Sequence, residues 1–407
     1  MPLDRLTPVL ERHVATLEEQ GTAKGAEKVV TAVLRPSGEC GPRVRLEGAG
    51  EREFIRMNSN SYLGMGLRPE VIRAEEEATA AFGAGPGAVR FISGTYAPHV
   101  ELERRLAAFH GREAAMIFSS AYATVVSVLV PLITEKTVVV SDELNHNCII
   151  NAMRLARPAS KGIYRHNDMA DLERRLEEAK GSGERVVLVT DGIFSMRGDH
   201  APLEEIVALA RRFDADFAEN VVVVVDDSHG VGAFGETGRG VEEHAGARAD
   251  VLVGTLGKAF GVNGGYVTGP AALTRFLRES SPMYIYSNPI TVGEAAAASA
   301  SLELLDSAAG RERLAHLRRL TKRFEEGLGE RGFETIPGPH PVVPLMVRDT
   351  ARTRALVAHL FENGVLATGL AFPVVPRGDE EIRFQVNADH TDADIDRVLD
   401  VLAGFAA

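Results

Sequence analysis

Five short apolar runs, each followed at once by polar residues, constrain this chain more than any other feature. They are AAMIFSS (114–120), TVVVSDE (137–143), RVVLVTDGIFS (185–195), VVVVVDDSHG (221–230) and DVLVGTLGK (250–258). Helical patterns such as PLEEIVALARRF (202–213) lie between several of them. Val221–Val225 is apolar at every position rather than at every second one. Such a strand needs cover on both faces. Strands of this kind alternating with helices predict an α/β fold with a mainly parallel sheet.

Around that core the chain divides into three parts. Residues 1–56 read as an N-terminal segment, an amphipathic helix followed by the Gly- and charge-rich stretch SGECGPRVRLEGAGERE. Residues 57–290 form a large domain that holds the five runs. Residues 291–407 read as a small C-terminal α+β domain: the Ala-rich helix GEAAAASASLELL, VVPLMV, a helix at 351–363, IRFQVNA, and a last helix from Asp392. The residues before Val221, RRFDADFAEN, read as a loop.

Composition excludes several functions. The formal net charge is −12, which argues against a broad nucleic-acid face. A local site for a small anion can still oppose that global sign. The two cysteines, Cys40 and Cys148, make no disulfide framework and no zinc spacing. The residues show no clear metal site. The start, MPLDRLTPVLERHVATLEEQ, lacks the apolar core of a signal peptide. The longest apolar stretches, near Val125–Ile133 and Val221–Val225, fall short of the ~20 residues that cross a bilayer. The expectation is a cytoplasmic protein with no membrane partner.

In open α/β sheets, ligands bind beyond the carboxyl ends of the strands. The residues there are Ser119-Ser120, Asp142 to His146, Asp191 to Ser195, Asp226 to His229 and Thr255 to Lys258. Lys258 stands among small residues in GTLGKAFGVNGG. A lysine near a core is costly unless its charge is neutralised or bonded. A Schiff base with an aldehyde cofactor does this, and a surface lysine after a strand is the plain alternative. A phosphate-loop lysine does not fit, because Leu252 and Ala259 stand where that motif needs Gly and Ser or Thr. Asp226, three residues before His229, suits a carboxylate paired with a protonated ring nitrogen; its alternatives are a metal ligand or a helix cap. His146 can lie against an aromatic ring or be an ordinary loop histidine. FSSAYAT can open a helix whose free N–H groups hold a phosphate. GAGPGAVR (83–90) does not open a helix after a strand, so a dinucleotide site is rejected.

Taken in order, NSNSYLG (58–64), GAVRFISGT (87–95), HVELERRLAAFHG (99–111), SDELNH (141–146), TDGIFSM (190–196), VDDSHGVGAFGETGRG (225–240), GTLGKAFGVNGGY (254–266) and FPVVPRGDEEIRFQVNADHT (372–391) resemble the α-oxoamine synthase family of enzymes dependent on pyridoxal 5'-phosphate (PLP). Within it the likeness is greatest to the glycine C-acetyltransferase (2-amino-3-ketobutyrate CoA ligase) group, on Ser228, GTLGKAFG, the YSN at 286–288 and PVVPRG.

The resemblance implies a fold type I PLP-dependent transferase (aspartate aminotransferase-like). Its large domain would hold a mainly parallel seven-stranded sheet. It also implies a homodimer with active sites at the interface. Lys258 would carry the cofactor and move the α-proton. Asp226 would pair with the pyridine nitrogen. His229 and Ser195 would bond the phenolic oxygen, and His146 would stack on the ring. Ala121, Tyr122 and Thr255 would hold the phosphate, with Ser287 from the partner subunit. Asn60 and Arg383 would clamp an amino acid's carboxylate. The implied reaction joins an amino acid, glycine first, to an acyl-CoA, acetyl-CoA first, and releases CoA.

Arg197, Thr124, Asn147-Cys148, Pro86 and Ser61 depart from the family pattern. Alternatives are an 8-amino-7-oxononanoate synthase-like or serine palmitoyltransferase-like choice of substrates. From other classes come a type I aminotransferase or decarboxylase, and a non-catalytic subunit, which would lack the lysine.

Overall fold

The computed structural model describes residues 3–20, 22–372 and 374–405. Pro373, the first residue of PVVPRG, lies outside the described residues, as do Gly21 and the first two and last two positions. The central sheet has seven strands: β1 (Ala114–Phe118), β2 (Thr137–Asp142), β3 (Ser160–Tyr164), β4 (Arg185–Asp191), β5 (Val221–Asp226), β6 (Val251–Thr255) and β7 (Gly265–Gly269). Their order across the sheet is β1-β7-β6-β5-β4-β2-β3. From β6 through β3 every pairing is parallel; only β7 runs against its neighbours β1 and β6. A seven-stranded, mainly parallel sheet is what the family resemblance implied.

The apolar runs are explained by cover on both faces. Val186 and Leu188 pack beside Leu172, Leu176, Ile206 and Phe213 on one face. Val187 and Val189 pack beside Val128, Leu129, Ile149 and Met153 on the other. Fully burying each such side chain contributes roughly 1.5–3 kcal/mol. The helix Leu203–Phe213 shows the local logic. Its buried residues are Leu203, Ile206, Val207, Ala210 and Phe213, with Glu204 and Glu205 in the first turn and Arg211 and Arg212 in the last. That charge order complements the helix dipole.

Two strands were not legible. Strand β3 reads SKGIY and lies at the sheet edge, with only Tyr164 buried. Strand β7 is bounded by Gly265 and Gly269. A Cβ on Gly265 would sit 2.4 Å from the backbone nitrogen of Ala121. Glycine is therefore needed where β7 passes the start of the helix Ala121–Leu132. The expected loop before Val221 contains a short 3-10 turn, Asp214–Asp216. The Asp214 carboxylate accepts from the backbone of Val221 at 2.9 Å and the amide of Asn220 at 2.8 Å.

The N-terminal helix, Thr7–Glu19, buries none of its residues. The stretch after it also contains two paired strands, Val30–Leu34 and Arg43–Leu46. Towards the C-terminus, β8 (Glu334–Thr335), β9 (Val342–Met346), β10 (Thr368–Leu370) and β11 (Glu381–Gln385) form an antiparallel sheet in the order β8-β9-β11-β10. The NSNSYLG segment is tied to it: Gln385 N donates to Met57 O at 2.8 Å, and Ala388 N to Tyr62 O at 2.8 Å. Among the described residues no helix is long and apolar enough to cross a membrane.

Candidate active site

Loops from the carboxyl ends of the parallel strands converge on one cleft, lined by Ala121, His146, Asp191, Asp226, His229 and Lys258 among others.

Asp226 closes β5 and is buried. Its Oδ1 accepts from the Ser228 amide at 3.1 Å and hydroxyl at 2.5 Å. Among the described residues its Oδ2 meets only the Cys148 thiol, at 3.6 Å, a weak donor. One carboxylate oxygen is thus left for a stronger donor. Asp191 is its register partner on β4 and accepts from the His146 backbone at 2.9 Å. Burial, then the charge of Asp226, pushes the Asp191 carboxyl well above the usual range.

Lys258 lies three residues beyond the end of β6 and is half-buried. Its amine makes no hydrogen bond or ion pair among the described residues. Burial lowers its pKa to about 8, against the opposing pull of Asp226 and Asp191. Desolvation wins, and the amine is brought closer to its nucleophilic form at neutral pH.

His229 is buried, and its Nδ1 lies 2.7 Å from the Tyr62 hydroxyl. Burial and the charge of Lys258 hold it neutral. His146 caps the helix Asn147–Leu155, its Nδ1 accepting from Cys148 N at 3.3 Å. Ser195 lines the same cleft. Its carbonyl accepts from Arg383 Nη1 at 3.0 Å. With its amide oxygen turned towards Arg383, Gln385 accepts from Nε at 2.6 Å and Nη2 at 2.8 Å. Asn60 joins this side through Tyr62, whose hydroxyl lies 3.4 Å from its Oδ1.

Ala121 and Tyr122 open the helix Ala121–Leu132 at the cleft. Their N–H groups are first-turn donors that no carbonyl inside the helix can reach. The Thr255 hydroxyl is engaged locally, accepting from Gly257 N at 3.1 Å and donating to Gly264 O at 3.2 Å. Ser287 is not among the residues lining the cleft of one chain.

Residues 52–402 match the family described as aminotransferase class I and II. The chain is 42% identical to an 8-amino-7-oxononanoate synthase of Symbiobacterium thermophilum, over 90% of each chain. It is 39% identical to the mitochondrial 2-amino-3-ketobutyrate coenzyme A ligase of Bos taurus, over 98% of this chain and 91% of that one. A solved Sphingomonas wittichii serine palmitoyltransferase superposes with a TM-score of 0.88 at 29% identity, over 98% of this chain and 97% of that one.

The chain belongs to the α-oxoamine synthase family. The cofactor of this synthase is PLP. The cleft suits it on its own chemistry: among the described residues it holds an unpartnered amine, a buried carboxylate with one open oxygen, and free N–H donors at a helix start cleared by Gly265.

Three contributors to the site of the synthase carried no assigned role in the sequence. Tyr62 is one. Asn145 is another: its amide donates to Val189 O at 2.9 Å and accepts from Asp191 N at 2.8 Å, locking the two loops together. The third, His166, follows the unread edge strand β3. Its Nδ1 lies 3.1 Å from Asp142 and its Nε2 3.0 Å from Asp199. It thereby ties the loop of His146 to the loop of Ser195. Burial lowers its pKa, but the two carboxylates outweigh that and raise it to about 9.

The sign of the resulting pH dependence follows from linkage. The bonus is fully present below the unfolded value near 6.5 and is lost as pH rises to about 9. We expect the melting temperature of the synthase to fall across that window, and the fall to be flattened in His166→Gln. The full contribution is ~3 kcal/mol at most. Parallel melting curves for the two proteins from pH 6 to 9.5 would remove His166 from this role.

Proposed function

We propose that this synthase condenses an amino acid with an acyl-CoA, glycine and acetyl-CoA being the first pair to test. The products are CoA and an α-amino-β-keto acid or α-amino ketone. The observation that carries the reading is the meeting of Lys258, Asp226, His146 and His229 in one cleft. Bound PLP supplies an aldehyde that joins an amine and a ring that withdraws electrons from the α-carbon. Lys258 carries the cofactor and later takes the proton from the α-carbon. Asp226 offers Oδ2 to the ring nitrogen and holds its proton. His146 covers the ring and assists at the thioester carbonyl. Its general-acid help is worth typically about 10²–10⁴-fold. His229 and Ser195 bond the phenolic oxygen. Ala121, Tyr122 and Thr255 hold the phosphate.

Ser287 completes that phosphate site from a second copy in a homodimer. Tyr286, the first residue of YSN, is 81% exposed, and so exposed an aromatic beside Ser287 supports a covered face. The two free cysteines fit a cytoplasmic setting.

Similarity to 8-amino-7-oxononanoate synthase supports a second choice of amino acid and acyl donor with the same chemistry. A panel of amino acids crossed with acyl-CoAs, followed by thiol release, decides between them. Transamination without thiol release would overturn the acyltransferase reading.

Asn60 and Arg383 are the proposed clamp for the amino acid's carboxylate. Ser195 and Gln385 already orient the Arg383 fork. A hydrogen bond to a charged group contributes about 1.5–3 kcal/mol. Arg383→Ala should therefore raise KM for the amino acid roughly 10–100-fold, with a smaller effect on KM for acyl-CoA. Equal rises in both would argue against the clamp.

A further inference from the structure

We propose that Tyr62 sets the tautomer of His229 by donating its phenolic proton to Nδ1, so that His229 meets the cleft with an Nε2–H donor. Distance decides where the phenolic proton goes. The hydroxyl lies 2.7 Å from His229 Nδ1 and 3.4 Å from Asn60 Oδ1. The first is a normal hydrogen bond and the second is at the outer limit.

The phenol is held in that direction. Tyr62 is fully buried, its carbonyl accepts from Ala388 N at 2.8 Å, and its ring meets His340 edge-on at 5.2 Å. His340 does not compete for the His229 ring. Its Nε2 lies 2.9 Å from the His229 carbonyl, and its Nδ1 accepts from Val342 N at 3.2 Å. The other charged or titratable groups acting on the pair are Lys258, Arg383 and His146.

Burial keeps both members neutral. It raises the pKa of the Tyr62 phenol and lowers that of the His229 ring. A neutral imidazole carries one N–H. With Nδ1 accepting, that hydrogen sits on Nε2. No described residue bonds Nε2, and His229 lines the cleft. The consequence for catalysis rests on the proposed role of His229 at the phenolic oxygen. The tautomer belongs to the Tyr62–His229 pair alone. Tyr62 is thus a positioning residue, linking the turn that carries Asn60 to the floor of the site.

The test is nitrogen-15 NMR of the holoenzyme labelled at histidine, with His229→Asn used to assign the signals. In the wild type, Nδ1 of His229 should resonate as an unprotonated nitrogen and Nε2 as a protonated one. In Tyr62→Phe, which keeps the ring and drops the hydroxyl, the two shifts should move towards each other as tautomers mix. The cofactor absorbance maximum should shift, and kcat should fall about tenfold. A wild-type proton on Nδ1 would overturn the proposal, even if the variant fails to fold. Unchanged His229 shifts in a folded Tyr62→Phe would do the same. Failure of the acyltransferase assay would sink the proposed function and leave this readout intact.

Discussion

Lys258→Ala is expected to abolish turnover. The amine is placed by a short chain of causes: β6 buries Val251 to Thr255, and the chain then turns with Lys258 facing the cleft. It has no partner there among the described residues, and burial lowers its pKa to about 8. Such an amine suits the covalent role proposed for it. The proposed mechanism asks it to carry the cofactor and then to move the α-proton. General base catalysis alone is worth about 10²–10⁴-fold, so losing both roles should cost at least about 10⁴-fold in kcat. Thiol release measures it, with cofactor absorbance showing whether PLP is still held. Added small amines should recover part of the rate, which a folding defect would not permit. Activity within tenfold of wild type would remove Lys258 from the chemistry.

Glu103→Ala is expected to cost the most stability. Glu103 sits in the helix Ala97–Phe109, its side chain 9% exposed. It meets Arg90 through two bonds of 3.2 and 3.3 Å, Arg278 at 2.8 Å, and the backbone N–H of Ile117 at 3.2 Å. Arg90 has only 2% of its side chain exposed. Without Glu103 its charge stays buried and uncompensated. Breaking a buried pair from one side costs about 3–5 kcal/mol. Chemical denaturation should show a loss of that size for Glu103→Ala. Arg278→Ala should lose less, because that side chain is 33% exposed. Ile117 lies in β1, which leads directly into Ser119, Ser120 and the helix starting at Ala121. Cofactor affinity should therefore weaken along with stability. A Glu103→Ala protein within 1 kcal/mol of wild type would contradict this account.

The cleft was legible because each inner parallel strand is a nearly continuous apolar run that stops at a polar residue. Asp142, Asp191 and Asp226 each end a strand as read. Lys258 stood out because lysine is rare beside a core. Residues that act through register or distant contact carried no such mark. Asp191 lay in the polar set, yet its raised pKa comes from burial and then from Asp226 standing opposite it across the sheet. Strand β3 escaped notice because an edge strand needs little apolar surface. With it went His166, whose two carboxylate partners lie 24 and 33 residues away.

By itself, then, the order of residues determined the alternation of strands and helices, the side of the sheet on which polar residues collect, and that an amine and a carboxylate stand among them. These follow from local pattern, because a strand covered on both faces must be apolar throughout and must end where polarity begins. Only the tertiary structure decided that Tyr62 faces His229 across 167 positions of chain, that Asn145 and His166 bind the loops to each other, and that Arg383 is aimed by Ser195 and Gln385. Hydrogen bonds across such separations are set by packing of the whole chain, which no short stretch of residues encodes.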